Sequence, residues 1–258
     1  MRVLCIGDVV GSAGCDFLRS KLPRLKRELN ADVVIVNGEN SADGNGLTPE
    51  TAEHIYASGA DVITTGNHVF RQRSIFPALD SDVFLLRPAN YPPSAPGKGY
   101  CLVDLGRVRL AVINLLGTVF MDSLDCPFKT ADALLERAKS DGVKIVIIDM
   151  HAEATAEKKA LAFYLDGRVS AVFGTHTHVQ TADAQVLPAG TGFITDVGMT
   201  GPFVSVLGVK PEQSIARMKD KVPVRFQNAD GKCILGGAVF DIDEKSGLCR
   251  CAEPVRVF

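Results

Sequence analysis

The sequence predicts an α/β fold in which two β-sheets form a sandwich with helices on its outside. Short β-branched runs alternate with helical patterns over the first two-thirds of the chain, and the pattern shifts to mostly strands from Gly192 onward. With 258 residues, 46% hydrophobic content and a net charge of −2, the chain is typical of a globular protein with an ample core. It contains no repeat and its proline-rich stretch is short, so we predict a single domain over residues 1–258.

The elements of the first part follow from apolar periodicity and from turn residues. Thr48 is the expected N-cap of one helix, and Pro49 is its expected first residue. The predicted strands cover 2–8, 31–40 and 61–68, and the predicted helices run from the first strand to about Leu29, over 48–58 and over 72–79.

The second part begins with the proline-rich loop at 87–99 and a hairpin whose turn contains Gly106. A capped amphipathic helix is predicted at the segment that starts with Cys126. The predicted elements are the hairpin at 100–117, helices at 126–142, 153–167 and 211–220, and strands at 143–151, 169–178 and 247–258.

Composition excludes several classes of protein. The charge balance offers no basic excess for a tight nucleic-acid partner, and the apolar runs are too short to span a bilayer. The first residues, "MRVLCIGD", are strand-like and lack a signal-peptide layout. Seven scattered cysteines without a C-x-x-C pair predict reduced, buried thiols in a cytoplasmic protein. Cys249 and Cys251 are predicted to be the inward-facing pair of a strand rather than a metal site.

Metal-ligand residue types follow several of the predicted strands. Four of the five histidines lie there, whereas His54 lies mid-helix, where a surface or packing role is expected. If the strand stays extended through "GTHTH", His176 and His178 point to the same face. The candidate site residues are Asp8, Glu39, Asn40, Asn67, His68, His151, His176 and His178. The carboxyl ends of strands in an open α/β sheet meet at one crevice, so these residues are expected to converge.

The donor types indicate the metal. Imidazoles, carboxylates and an amide oxygen suit first-row metals such as iron, manganese or zinc. Seven or eight donors exceed the needs of one tetrahedral ion. They fit two ions that share one bridging carboxylate.

The strand-end motifs resemble, in order, the signature of the calcineurin-like metallophosphoesterases. "GDVVG", "GEN", "GNH", "MH" and "GTHTH" match its D-x-H, G-D, G-N-H-[ED], H and G-H-x-H blocks over about residues 1–200. Val10 replaces the histidine of the first block, and Glu39 replaces the usual bridging aspartate. These departures, with "NGLTPE", "FMDSLDCPF", "HAEATAEK" and "TDVGMTGP", are similar to the YmdB-like branch over nearly the whole chain.

The resemblance implies a role for each candidate. Asp8 and His178 would bind the first metal, and Glu39 would bridge both. The second metal would be held by Asn67, His151 and His176. Asn40 would fill the place of the missing histidine or would contact phosphate instead, and His68 would assist catalysis as a general acid.

The branch hydrolyses cyclic nucleotides and binds iron, which implies a specific activity. We expect two first-row ions, iron before manganese before zinc, and a small phosphoester substrate such as 2′,3′-cAMP or 3′,5′-cAMP. A hydroxide that bridges the ions would attack phosphorus in line. No membrane partner is expected, and the oligomeric state, a homo-oligomer included, is left open.

Three alternatives stay open at this stage. A phosphomonoesterase would share the ligands, so the pocket shape decides, with the loops at 41–46 and 120–128 as candidate walls. A metal-binding regulator without catalysis is the non-enzymatic alternative. A dinucleotide-binding loop at "GDVVGSAG" is disfavoured, because its glycine spacing is neither G-x-G-x-x-G nor that of a P-loop.

Overall fold

The computed structural model describes residues 1–43 and 45–258 and contains two mixed β-sheets. The strands of the first sheet are β1 (Arg2–Ile6), β2 (Asp8–Val9), β3 (Val33–Asn37), β4 (Val62–Thr64), β11 (Met199–Pro202), β12 (Cys233–Ile242) and β13 (Cys249–Val257). Their order is β2-β11-β12-β1-β3-β4, with β13 paired to β12. Since β1, β3 and β4 run parallel, their carboxyl ends share one edge.

The second sheet is formed by the middle of the chain. Its strands are β5 (Tyr100–Asp104), β6 (Arg109–Leu116), β7 (Ile145–His151), β8 (Ala171–Thr175), β9 (Gln185–Val186) and β10 (Gly192–Ile194). Their order is β5-β6-β7-β8-β10-β9, and β6, β7 and β8 are parallel.

Helices cover the outer faces of both sheets. They are α1 (Gly11–Glu28), α2 (Pro49–Ala57), α3 (Phe76–Ser81), preceded by a 3₁₀ turn (Arg73–Ile75), α4 (Pro127–Ser140), α5 (Thr155–Tyr164) and α6 (Pro211–Asp220). In α1 the buried residues include Leu18, Leu22 and Leu25, whose spacing places them on one helical face. In the described part of the chain, no helix has both the length and the apolar character to cross a bilayer.

The core follows from strand alternation. In β1, Val3 and Cys5 point into the layer between the sheets, where they join Ile147 and Phe173 of the second sheet. Leu4 and other residues of the opposite face pack with the apolar faces of α1 and α2. The predicted fold class, two sheets flanked by helices, is therefore confirmed.

Local predictions are partly confirmed. The Thr48 hydroxyl accepts the Thr51 N–H at 3.3 Å, as an N-cap does, and Pro49 is the first residue of α2. Gly106 lies in the β5–β6 turn with φ +77°. The predicted capping of α4 is confirmed at its carboxyl end, where Gly142 has φ +70° and the Val143 N–H donates to the Ala138 carbonyl at 2.9 Å. At the other end Cys126 makes no side-chain capping bond, and the helix begins directly at Pro127.

The cysteine predictions need two corrections. All seven thiols are free, but Cys126 and Cys251 are exposed rather than buried. Cys249 and Cys251 are not an inward pair. The register shifts between Asp241 and Ile242, which lie opposite Cys251 and Cys249, so one extra residue on β13 breaks the alternation.

Candidate metal centre

The structure brings all eight candidates together at the carboxyl ends of strands from both sheets. Glu39 and Asn40 follow β3, and Asn67 and His68 follow β4. On the second sheet, His151 ends β7, and His176 and His178 follow β8. In the first sheet, Asp8 begins β2, one residue after the end of β1. His54 lies apart in α2, with Nε2 3.8 Å from the Asp16 carboxylate.

One group of donors surrounds the Nε2 atom of His151. This atom lies 3.1 Å from Glu39 Oε1, 3.1 Å from Asn67 Oδ1 and 3.1 Å from His176 Nδ1. Ligand atoms of Glu39, His151 and His176 all lie within 4.8 Å of one another. Four donor atoms therefore converge as the ligands of one cation do.

A second group of donors also contacts Glu39 Oε1, through Asn40. His178 Nε2 is 3.5 Å from Asp8 Oδ1. The Asn40 amide nitrogen is 3.4 Å from that Asp8 oxygen, 3.2 Å from Glu39 Oε1 and 3.2 Å from His178 Nε2. In this orientation the Asn40 side-chain oxygen faces His68. To bind a cation in the second group, the amide would have to flip so that its oxygen and nitrogen exchange places.

The His176–Thr177–His178 segment is not extended, which corrects the geometric expectation. Strand β8 ends at Thr175, and both histidines have positive φ, +97° and +62°. The turn sends His176 to the His151 group and His178 to the Asp8 group, rather than to a common face. Positive φ is strained for a residue with a Cβ, so surrounding contacts must hold the turn.

Asp196 provides those contacts. Its Oδ2 accepts the Thr177 N–H at 3.1 Å and the Thr177 hydroxyl at 2.7 Å, and its Oδ1 accepts the Gly198 N–H. The Lys158 ammonium donates to the same carboxylate at 2.8 Å, and both charged groups are fully buried. This ion pair between α5 and the end of β10 braces the histidine turn.

Removing the Thr177 hydroxyl is expected to weaken metal binding with the fold intact. Changes to groups that orient metal ligands typically cost 10–100-fold in affinity, and we expect Thr177→Val to lose roughly tenfold. Manganese titration of metal-free protein measures the loss. Thr177→Ser keeps the bond to Asp196 and serves as the control. Equal affinities in the two variants would show that the hydroxyl does not position the histidines.

Hydrogen bonds at the far side of the rings set the histidine tautomers. Thr175 donates its hydroxyl to Asp149 at 2.7 Å, so its oxygen is free to accept from His151 Nδ1–H at 2.8 Å. His178 Nδ1 donates to the Leu207 carbonyl at 3.0 Å. Both rings therefore present Nε2 to the centre, which is the arrangement a metal-binding histidine needs.

The centre concentrates negative charge in the interior. Asp8 and Glu39 are fully buried. Burial opposes their ionisation, but His178 lowers the pKa of Asp8, and His151 with His68 lowers the pKa of Glu39 well below its usual range. Both carboxyls are thus anions in the low-dielectric interior, where bound cations would offset their repulsion.

The imidazoles of His151 and His176 differ in charge. Burial lowers the pKa of His176 to about 4. Burial acts in the same direction on His151, but the attraction of Glu39, with Asp8 and Asp149, raises its pKa to about 9. A cation at Nε2 of His151 would replace that proton. The donor set of carboxylates, imidazoles and amide fits first-row metals.

Gly66, the glycine of "GNH", is needed because the backbone there passes close to the side chains of His151 and Glu39. A Cβ on Gly66 would lie 2.2 Å from the His151 ring and 2.3 Å from Glu39 Oε2. Only a glycine backbone can pass this close to two donors.

A cleft of about 460 Å³ opens onto the centre. Its described walls include Val10, which stands where the resemblance expects a histidine, and Asn45 of the 41–46 loop, whose Gly44 lies outside the described residues. The other predicted wall, the loop at 120–128, contributes none of the described lining residues. His68 lies on the wall with Nδ1 2.8 Å from Asn40 Oδ1 and 3.2 Å from Glu39 Oε1. Its imidazole is therefore next to the donors and accessible from the cleft.

The comparisons with known proteins agree with this geometry. Residues 4–255 match the model of a family described as YmdB-like protein. The chain belongs to the YmdB-like family. It is 50% identical over 246 residues to a Bacillus subtilis (strain 168) protein named 2′,3′-cyclic-nucleotide 2′-phosphodiesterase, covering 95% of this chain and 93% of the relative.

Two solved structures share the fold of this YmdB-like chain closely. A hypothetical protein from Thermus thermophilus superposes with a TM-score of 0.94 at 41% identity, covering 100% of this chain and 99% of the other. A Mycoplasma pneumoniae protein named a novel phosphatase superposes with a TM-score of 0.94 at 34% identity, covering 100% and 93%. The resemblance inferred from the strand-end motifs is confirmed.

Sequence reasoning missed two residues of this YmdB-like site. Glu153 Oε2 lies 3.1 Å from His176 Nε2 and its side chain is half exposed on the cleft wall. Its signal was its place two residues after His151, in "MHAEAT". Asp196 was missed because its partners, Thr177 and Lys158, come from distant parts of the sequence; its only signal is its position at a strand end, in "TDVG".

Proposed function

We propose that this protein is a metal-dependent phosphoric ester hydrolase, a phosphodiesterase that opens 2′,3′-cyclic nucleotides. The observation that carries the proposal is the buried Glu39, whose Oε1 lies 3.1 Å from His151 Nε2 and 3.2 Å from the Asn40 amide nitrogen and so contacts both groups of donors. The name of the 50%-identical B. subtilis relative supplies the substrate class. Cleavage at the 2′ position breaks the bond between phosphorus and O2′ and leaves a nucleoside 3′-phosphate.

Six side chains would hold two cations, or seven if Asn40 is also a ligand. Asp8 and His178 would bind the first, with Asn40 as a further ligand or a phosphate contact. The second would be bound by Asn67, His151 and His176, with Glu39 shared by both. When bound, two first-row cations supply an activated water and offset the charge on the phosphoryl oxygens. Following the resemblance, we favour iron, then manganese, then zinc.

His68 would supply the proton that the leaving alkoxide needs. Its Nδ1 lies 2.8 Å from the Asn40 oxygen and 3.2 Å from Glu39 Oε1, so it keeps an acceptor even if the Asn40 amide turns to a cation. Nε2 is then the nitrogen that would serve a substrate. An imidazole can deliver a proton near neutral pH. The ring is on the cleft wall, so a phosphoester in the cleft would come within its reach.

Phosphomonoester hydrolysis is the second candidate, because the M. pneumoniae neighbour is named a phosphatase. The same donors would serve both reactions, and 2′,3′-cAMP separates them. A diesterase accumulates 3′-AMP, whereas an enzyme that also cleaves monoesters releases adenosine.

The metal content is expected to be two first-row ions per chain. Elemental analysis of anaerobically purified protein measures it, and the same preparation is assayed on 2′,3′-cAMP, 3′,5′-cAMP and 3′-AMP. We expect about two equivalents and accumulation of 3′-AMP. One reproducible equivalent with full activity would contradict the dinuclear centre, and activity on 3′-AMP alone would favour the phosphatase. Metal-loaded protein inactive on every ester would indicate the non-enzymatic regulator.

We further propose a cytoplasmic location for this single-domain protein. All seven cysteines are free, which suits a reducing compartment.

A further inference from the structure

Phe120 is in an unusual position for a phenylalanine. It has φ +63° and is 89% exposed. The Met121 N–H and the Thr118 carbonyl lie 3.5 Å apart and close a four-residue turn, with Phe120 in its third position. Turns with positive φ at that position strongly favour glycine or asparagine. An aromatic side chain here is strained without being buried.

At its start the turn is fixed to the end of β7, the strand whose last residue is His151. Gly117 donates its N–H to the His151 carbonyl at 2.9 Å. The buried Glu157 carboxylate then accepts the Thr118 N–H at 2.9 Å, the Thr118 hydroxyl at 3.2 Å and the Val119 N–H at 3.3 Å. These hydrogen bonds fix the backbone of the two residues that precede Phe120 in the chain.

The turn is also fixed after Phe120. The Met121 sulfur accepts the Glu153 N–H at 3.3 Å, and the Glu153 carboxylate lies 3.1 Å from His176. Met121, the residue after Phe120, is therefore linked through Glu153 to His176, a candidate metal ligand. These contacts hold the strained turn in place next to residues of the metal centre, so it is not a loose loop.

We propose that Phe120 stacks on the nucleobase of the substrate. The inference rests on the proposed function, since it assumes a nucleotide whose cyclic phosphate is bound at the metal centre. The base of such a nucleotide is one ribose away from the phosphate, and its apolar face matches an exposed phenyl ring. Backbone strain retained beside a reaction centre is typical of functional residues.

The test compares two substrates with the same five-membered cyclic diester. 2′,3′-cAMP carries a base, and glycerol 1,2-cyclic phosphate does not. Since loss of one base–aromatic stack typically weakens binding by about tenfold to hundredfold, we expect Phe120→Ala to lower kcat/KM for 2′,3′-cAMP by that factor. The rate on the glycerol ester should stay unchanged, and Phe120→Trp should retain activity on 2′,3′-cAMP.

Two further variants separate the ring from the backbone. Phe120→Gly relieves the strain, so it should lose activity on 2′,3′-cAMP while its Tm rises by about 2–4 °C. Phe163→Ala removes another exposed phenylalanine, on α5, and should leave both substrates unaffected.

Several other outcomes would contradict the stacking role of Phe120. Equal losses on both substrates would overturn the stacking role and indicate that Phe120 shapes the turn. Unchanged rates on both would show that the ring does not contact substrate. A lower molecular mass for Phe120→Ala in solution, with the substrate ratio unchanged, would assign the ring to an interface between copies. If the wild type cleaves neither ester, the proposed function fails and the stacking role fails with it.

Discussion

Glu39→Gln is expected to lose at least one metal ion and more than about 100-fold in activity. Loss of a group that merely orients a ligand costs 10–100-fold, so loss of Glu39, the proposed shared anionic ligand, should cost more. The amide has nearly the same shape but no charge, and the repulsion between two neighbouring cations would be poorly offset. Elemental analysis and the rate on 2′,3′-cAMP measure both effects.

The control for this variant is Glu153→Gln. Glu153 also contacts a candidate ligand, His176, but its side chain is half exposed and lies at the cleft wall. We expect it to keep both metals, because the glutamine amide oxygen can still accept from His176 Nε2–H. Circular dichroism and thermal melting should show that Glu39→Gln remains folded. Full metal occupancy in Glu39→Gln would mean that another residue is the bridge.

His68→Ala is expected to keep both metals and to lose about 10²–10⁴-fold in rate on 2′,3′-cAMP, the usual contribution of one positioned general acid. The loss should shrink on a nitrophenyl phosphodiester, because the acidic phenol leaves as its anion and needs no proton. Steady-state rates on both substrates, with metal analysis of the same samples, test this.

His176→Ala is the contrasting variant. It removes a member of the three-residue group of Glu39, His151 and His176, so it should lose metal and fail on both substrates equally. If His68→Ala is equally impaired on the two substrates with both metals present, His68 orients phosphate or holds Asn40 and is not the acid.

The positions of the site residues could be predicted because they depend on local patterns. Apolar runs that end in "GEN", "GNH" and "GTHTH" mark strand ends, and parallel strands bring their carboxyl ends to one edge. Thr48 and Gly106 were predictable for the same reason, since caps and hairpin turns have local chemistry.

What could not be predicted depends on distant residues. The positive φ of His176 and His178 is maintained by Asp196, which is itself paired with Lys158 on another helix. The exposure of Cys251 follows from a register shift opposite β12, which no alternation pattern of β13 reveals. Such features need the assembled fold.

The strand order of the first sheet has a consequence for biosynthesis. Asp8 belongs to β2, which is adjacent to β1 in the chain but is separated from it in the sheet by β11 and β12. Strand β12 ends at Ile242, and the His176 N–H that binds Asp8 comes 168 residues later than Asp8. A growing chain on the ribosome therefore cannot place Asp8 in its sheet position until β12 has emerged. Metal uptake is therefore expected to follow the synthesis of β12, and a chain truncated before β12 should carry no hydrolase activity.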